Sequence, residues 1–194
     1  MSYQVQEDFD HLLRMQGFSE TLLQHHFALY HELVENRNRI AANLEGLAAQ
    51  GQEDTPEYAS LKRRLGWQSN DMRLHELYFE NLGGQSERSH RSCLIEKLTE
   101  NFGSYKAWEE DFKTTASIPG VGWAVLCQDH SSGKLNNLWL DEHQAEIPAD
   151  YKPLLVLDAW EHSYMMDYGF KRPEYLETFF KNIDWDVVDR RLIV

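Results

Sequence analysis

Apolar side chains and two histidines, at Leu22, His25, His26, Leu29, Leu33, Ile40, Leu44 and Leu47, recur at helical spacing and predict a long helix over 19–49. Ser19 followed by Glu20 gives it a start. A polar, turn-rich break over 51–56 ends it, and a second helix is predicted over 57–81, closed by Gly83-Gly84. Two long helices with a short connection pack most simply as an antiparallel hairpin, which would set His25 and His75 facing each other.

The pattern changes after residue 84. Two shorter helices are predicted over 91–100 and 105–117, with Gly103 as the break and Ser104 as the cap of the second. Three short strand patterns follow at 122–128, 135–140 and 154–157, separated by turn-forming and polar stretches. Pro173 and Glu174 open a closing helix through 180, since proline suits a helix's first turn. The reading is α+β: an N-terminal antiparallel helical hairpin over 1–84, then an α+β unit over 85–194 with a three-stranded antiparallel sheet. The chain has no internal repeat and no low-complexity segment.

Composition narrows the function classes. With 194 residues and 42% hydrophobic content the chain can bury a proper core. A net charge of -13 argues against a nucleic-acid partner, which needs a basic face, and requires local positive charge wherever a small anion is to be drawn in. No apolar run approaches a membrane span, and the first residues lack the features of a signal or transit peptide, so a cytoplasmic protein is expected. Cys93 and Cys127 are too few and too far apart for a disulfide framework or a thiolate metal site.

The densest chemistry lies at Asp158-Ala159-Trp160-Glu161-His162, directly after the apolar run 154–157. A carboxylate and an imidazole four residues apart at a strand-to-helix junction can point at one ion, and both suit iron, manganese or zinc. The plainer alternative is a capping Asp followed by a surface His. His75-Glu76 invites comparison with zinc hydrolases, but Phe79 stands where their second helical histidine would be. His25 and His75 on the long helices add imidazoles to Asp158 and His162.

With these residues in view, the chain resembles the iron/manganese superoxide dismutase family. The likeness runs through 80–84 (Glu-Asn-Leu-Gly-Gly), 102–105 (Phe-Gly-Ser-Tyr), Gly122-Trp123, 158–162, 172–175 (Arg-Pro-Glu-Tyr) and 182–185 (Asn-Ile-Asp-Trp), in family order and spacing. It implies one iron or manganese ion per subunit, held by His25, His75, Asp158 and His162, with His26 as a packed helix residue. The ion would cycle between +2 and +3 to convert superoxide to oxygen and hydrogen peroxide. His143, or Gln144 one residue later, falls where the family hydrogen-bonds the solvent at the metal, and a histidine there resembles iron members. Asp71, one turn before His75, matches neither the Gln nor the Gly that members carry. Trp123 and Trp160 resemble the walls that exclude water, and Arg172 the arginine that attracts the anion. Glu161 matches the residue that bonds His162 of the other subunit in a homodimer.

Counted from His25, Leu29 and Leu33 replace the family's proton-relaying His and Tyr, and Met165 replaces an aromatic partner; Arg73 and Leu74 also depart. Tyr30, His31 and His143 are the remaining candidate proton donors. The alternative to a dismutase is a divergent metal-binding relative with a structural or interaction role, or with another redox substrate.

Overall fold

The computed structural model describes residues 2–6, 9–84, 93–143 and 147–193. Two long helices, α1 (Glu20–Ala49) and α2 (Pro56–Glu80), form the expected antiparallel hairpin. Ser19 Oγ accepts the Leu22 N–H and caps α1, Thr55 does the same for Tyr58 in α2, and Pro56 occupies a first-turn position that needs no N–H. Between the helices Gly51 takes φ +68°, the left-handed conformation that ends a helix cheaply only at glycine.

The buried face of α1 is Leu22, Leu23, His26, Tyr30, Leu33, Val34, Ile40 and Leu44. His25 lies outside it, on the solvent side. Neighbouring helix positions differ by about 100° of rotation, so burial of one histidine of the pair turns the other out.

The second half contains α3 (Cys93–Phe102) and α4 (Tyr105–Ala116), then β1 (Gly122–Asp129), β2 (Leu135–Asp141) and β3 (Tyr151–Asp158). Four helices follow or flank the site: short α5 (Met165–Tyr168), α6 (Arg172–Lys181) and α7 (Trp185–Arg191) close the chain after the sheet, and α4 packs on β1 and β2. The sheet is antiparallel throughout, in the order β2-β1-β3. Central β1 is buried along nearly its whole length, as a strand covered on both faces should be. β3 begins three residues earlier than its apolar run suggests, because 151–153 (Tyr-Lys-Pro) pairs with β1 beyond a register shift at Leu126/Cys127. An edge strand with such an irregularity is where a strand tolerates proline. α7 has no strong apolar period; its start is marked by Asp184, which accepts the N–H groups of Asp186 and Val187.

One buried side chain joins the two halves behind the site. Asn81, at the end of α2, accepts the Val156 N–H of β3 at 2.8 Å and donates to Tyr78 O at 2.8 Å. Its carbonyl accepts the Asp184 N–H at 3.0 Å, and the Gly83 N–H reaches Asn182 O at 2.9 Å. Gly84 allows this approach: a Cβ there would stand 2.5 Å from the Asp184 Cα. Arg191 adds hydrogen bonds to Leu154 O and Leu77 O and an ion pair with Glu80 at 2.8 Å. α2, which carries His75, is thereby held in register with β3, which carries Asp158. Among the described residues no helix is long and apolar enough to cross a membrane.

Candidate metal centre

Four ligand-type atoms converge where α1, α2 and the end of β3 meet. His26 comes from α1, His75 from α2, Asp158 from the last position of β3, and His162 from the 3-10 turn Glu161–Ser163 just beyond. Asp158 Oδ2 lies 3.1 Å from His26 Nε2, 3.0 Å from His162 Nε2 and 3.7 Å from His75 Nε2. His75 Nε2 and His162 Nε2 are 3.4 Å apart, and all four atoms lie within 4.8 Å of one another. Donors bound at about 2.0–2.1 Å to one first-row ion stand roughly 3–3.6 Å from each other, so the donor set fits such an ion.

Asp158 is held by three hydrogen bonds, one at its carboxylate and two at its backbone carbonyl. Asp158 Oδ1 accepts the Trp160 N–H at 2.8 Å, while its backbone carbonyl accepts the Tyr175 hydroxyl at 2.6 Å and the Ser163 hydroxyl at 3.0 Å. These contacts leave Oδ2 to the imidazoles. Burial would raise the Asp158 carboxyl, but His162 and His26 outweigh it and hold the group far below the usual carboxylate range. Burial pushes His26 down to about 4, which keeps its ring neutral and able to ligate at neutral pH. Burial also acts downward on His75, but the Asp71 hydrogen bond and the charges of Asp158 and Asp71 prevail and raise it.

His26, and not His25, is therefore the α1 member of the cluster. Of the expected ligands His25, His75, Asp158 and His162, the structure brings the last three together with His26, while His25 is exposed. That one-residue difference moves the positions that follow. One and two turns on from His26 stand Tyr30 and Val34, so Leu29 and Leu33 are not the residues on that face next to the centre.

Tyr30 is fully buried, yet its hydroxyl serves a different group. It donates to Glu76 Oε1 at 2.7 Å and accepts the Gln6 N–H at 3.0 Å. Glu76, also fully buried, receives Tyr3 Oη at 3.0 Å and Arg73 Nη1 at 2.5 Å. This is a closed polar cluster tying the N-terminal segment to the hairpin. Its signal in the sequence was an acidic residue beside His75 on an otherwise buried helix face.

His143 is 5% exposed and stacks on Trp160 with centroids 4.6 Å apart. Its Nδ1 lies 3.1 Å from Trp123 Nε1 and 3.1 Å from Asp71 Oδ1. Gln144 lies outside the described residues. Trp123 presents its ring to His75 at 4.9 Å, near perpendicular, and Trp160 stacks toward His162 at 6.0 Å. Arg172 Nη1 donates to Ile118 O at 3.2 Å and its guanidinium sits over the Trp139 ring at 5.5 Å. Its Nε and Nη2 are buried with no hydrogen-bond partner among the described residues. Glu161 and His31 are exposed, and Met165 is half-buried.

A helical hairpin over a three-stranded sheet, with three imidazoles and one carboxylate at their meeting point, defines a mononuclear metalloprotein architecture. The family model described as iron/manganese superoxide dismutases, C-terminal domain, matches residues 90–191. The iron superoxide dismutase of Aquifex aeolicus is 37% identical over 191 residues, which is 94% of this chain and 88% of that protein. That of Cupriavidus metallidurans is 34% identical over 177 residues, 89% of this chain and 87% of that protein. A manganese superoxide dismutase of Haloferax volcanii is 39% identical over 113 residues, 58% of this chain and 56% of that protein, so the match spans just over half of that relative. The chain belongs to the iron/manganese superoxide dismutase family.

Proposed function

We infer that the protein is a superoxide dismutase that holds one iron or manganese ion at His26, His75, Asp158 and His162. The observation that carries this reading is the convergence of three imidazole Nε2 atoms and Asp158 Oδ2, with His26, His75 and Asp158 buried and His162 at the exposed edge. When bound, the ion supplies the one-electron change between +2 and +3 that two successive superoxide molecules require. The chain's own residues do the rest. Neutral His26 and ionised Asp158 are ready to ligate without losing a proton first. Trp123 and Trp160 wall the centre against bulk water, and Arg172 brings local positive charge to a chain that is otherwise acidic. Peroxide formation consumes two protons, and His143 is the buried imidazole placed nearest the ligands to pass them on.

Of the two metals, we favour iron, because His143 takes the place where the sequence resembles iron members. Homodimer formation is part of the proposal: exposed Glu161 adjoins His162, and Met166 and Phe170 a few residues further along the chain are 56% and 92% exposed. Metal analysis of the purified protein, followed by superoxide-consumption assays on iron-loaded and manganese-loaded forms, tests the function. Full metal occupancy with no superoxide consumption by either form would select the alternative, a metal-binding relative with another role. The committed Tyr30 hydroxyl and apolar Val34 are what favour that alternative.

A further inference from the structure

Asp71 sits one helical turn before His75, and the proposed reaction gives it no part. It is 3% exposed, on the face of α2 that meets His143. His75 Nδ1 lies 2.9 Å from the Asp71 carbonyl and 3.1 Å from Asp71 Oδ1. A ring whose Nε2 faces the donor cluster has one N–H left, on Nδ1, and both acceptors available to it belong to Asp71. The neighbouring contact sharpens the assignment. His143 Nδ1 lies 3.1 Å from Trp123 Nε1 and 3.1 Å from Asp71 Oδ1. An indole N–H can only donate, so it takes the His143 Nδ1 lone pair and leaves the His143 proton on Nε2. The His75 Nδ1–H donates to the Asp71 carbonyl, and Asp71 Oδ1, buried without a hydrogen-bond partner among the described residues, acts on the ring through its charge at 3.1 Å.

The other buried imidazole of the cluster has no such support. His26 Nδ1 is buried without a hydrogen-bond partner among the described residues. The centre is therefore asymmetric: Asp158 stands in it, and a second carboxylate stands behind one histidine only.

We propose that Asp71 is a positioning residue that fixes the His75 tautomer and, by placing negative charge behind that ring, lowers the reduction potential of the bound ion. A carboxylate behind a ligating histidine makes the ring a stronger donor, and a buried negative charge favours the higher oxidation state. The proposal rests on the four-donor reading of the centre, and the test separates the two.

Metal content of wild-type protein is measured first. A wild type that binds neither iron nor manganese would sink the four-donor reading itself. Wild-type and Asp71→Asn proteins loaded with iron are then titrated against redox mediators. At the wild-type midpoint the variant should show a ratio of reduced to oxidised iron at least tenfold higher, a midpoint rise of about 59 mV or more for a one-electron couple. A fully loaded variant whose ratio stays within threefold of wild type overturns the proposal. Should Asp71→Asn fail to fold or load, nitrogen NMR of the wild-type apoprotein at alkaline pH, where the His75 ring is neutral, decides. A proton on His75 Nδ1 with a free Nε2 is expected, and a proton on Nε2 overturns the proposal.

Discussion

Exchanging the two adjacent histidines of α1 one at a time is the sharpest test of the centre. His26 is 1% exposed, its Nε2 is 3.1 Å from Asp158 Oδ2, and its ring packs against those of His75, Phe79 and His162 at 5.2, 4.8 and 4.9 Å. His25 is exposed on the opposite side. Loss of even an outer partner of a metal ligand costs about 10–100-fold in affinity, so loss of a ligand should cost more than about 100-fold. With free metal at 100 times its dissociation constant the protein gains about 2.7 kcal/mol, and His26→Gln should forfeit nearly all of it. His25→Ala should leave both metal content and stability within about 0.5 kcal/mol of wild type. The assay is metal stoichiometry by mass spectrometry, with urea unfolding in the presence and absence of chelator. The chelator-dependent difference should be present in wild type and His25→Ala and vanish in His26→Gln. Full occupancy in His26→Gln together with loss in His25→Ala would refute the geometry.

Tyr30→Phe removes a 2.7 Å hydrogen bond to buried Glu76 and strands the Gln6 N–H, so it should cost about 2–3 kcal/mol in urea unfolding while leaving metal content intact. Loss of metal there would instead tie Tyr30 to the centre. In the apoprotein, burial holds His26 near 4 against 6.5 for the free side chain, so the unfolded chain binds more protons in that window. Stability should therefore be fully present above pH 6.5 and fall by up to about 3 kcal/mol as the pH drops toward 4. His75, raised above 6.5, contributes no slope there and loses its contribution only at higher pH. The slope should flatten in His26→Gln, and an unchanged slope would show that other groups cause it. Phe170→Asp, placing charge on a side chain 92% exposed, should shift sedimentation from dimer to monomer; a wild-type monomer would remove the dimer from the proposal.

The hairpin, the sheet and three members of the cluster were legible in the sequence because each rests on a strong local pattern. Long apolar periods mark α1 and α2, and Asp158 and His162 follow an apolar strand at i, i+4 spacing. The choice between His25 and His26 was not legible from the period. Leu22 and Leu23, then Leu33 and Val34, are adjacent buried pairs that straddle the boundary of the face, so both histidines satisfy it. That one-residue ambiguity also displaced the next positions, from Tyr30 and Val34 to Leu29 and Leu33. Asp71 stood out in the sequence as a departure four residues before His75 on one helix face, but the spacing gave it no role. Its approach to His143 depends on how the chain packs after β2, which no helical spacing encodes. Tyr3 reaching Glu76 across 73 residues belongs to the same class of contact.

Asn81 has a consequence for how the metal arrives. The distance between His75 and Asp158 is set by amide hydrogen bonds between the end of α2 and β3, with Arg191 closing the same seam. None of these bonds involves an ion. Small metal-dependent domains fold only as their ligands gather around the ion. Here bonds that need no ion hold α2 against β3, so on the proposed function the ion would enter a receptacle whose His75–Asp158 spacing the polypeptide already sets. Such a receptacle can give up one ion and accept another without the chain unfolding between them, and supply in the cell then has as much say in which metal is found as the protein does.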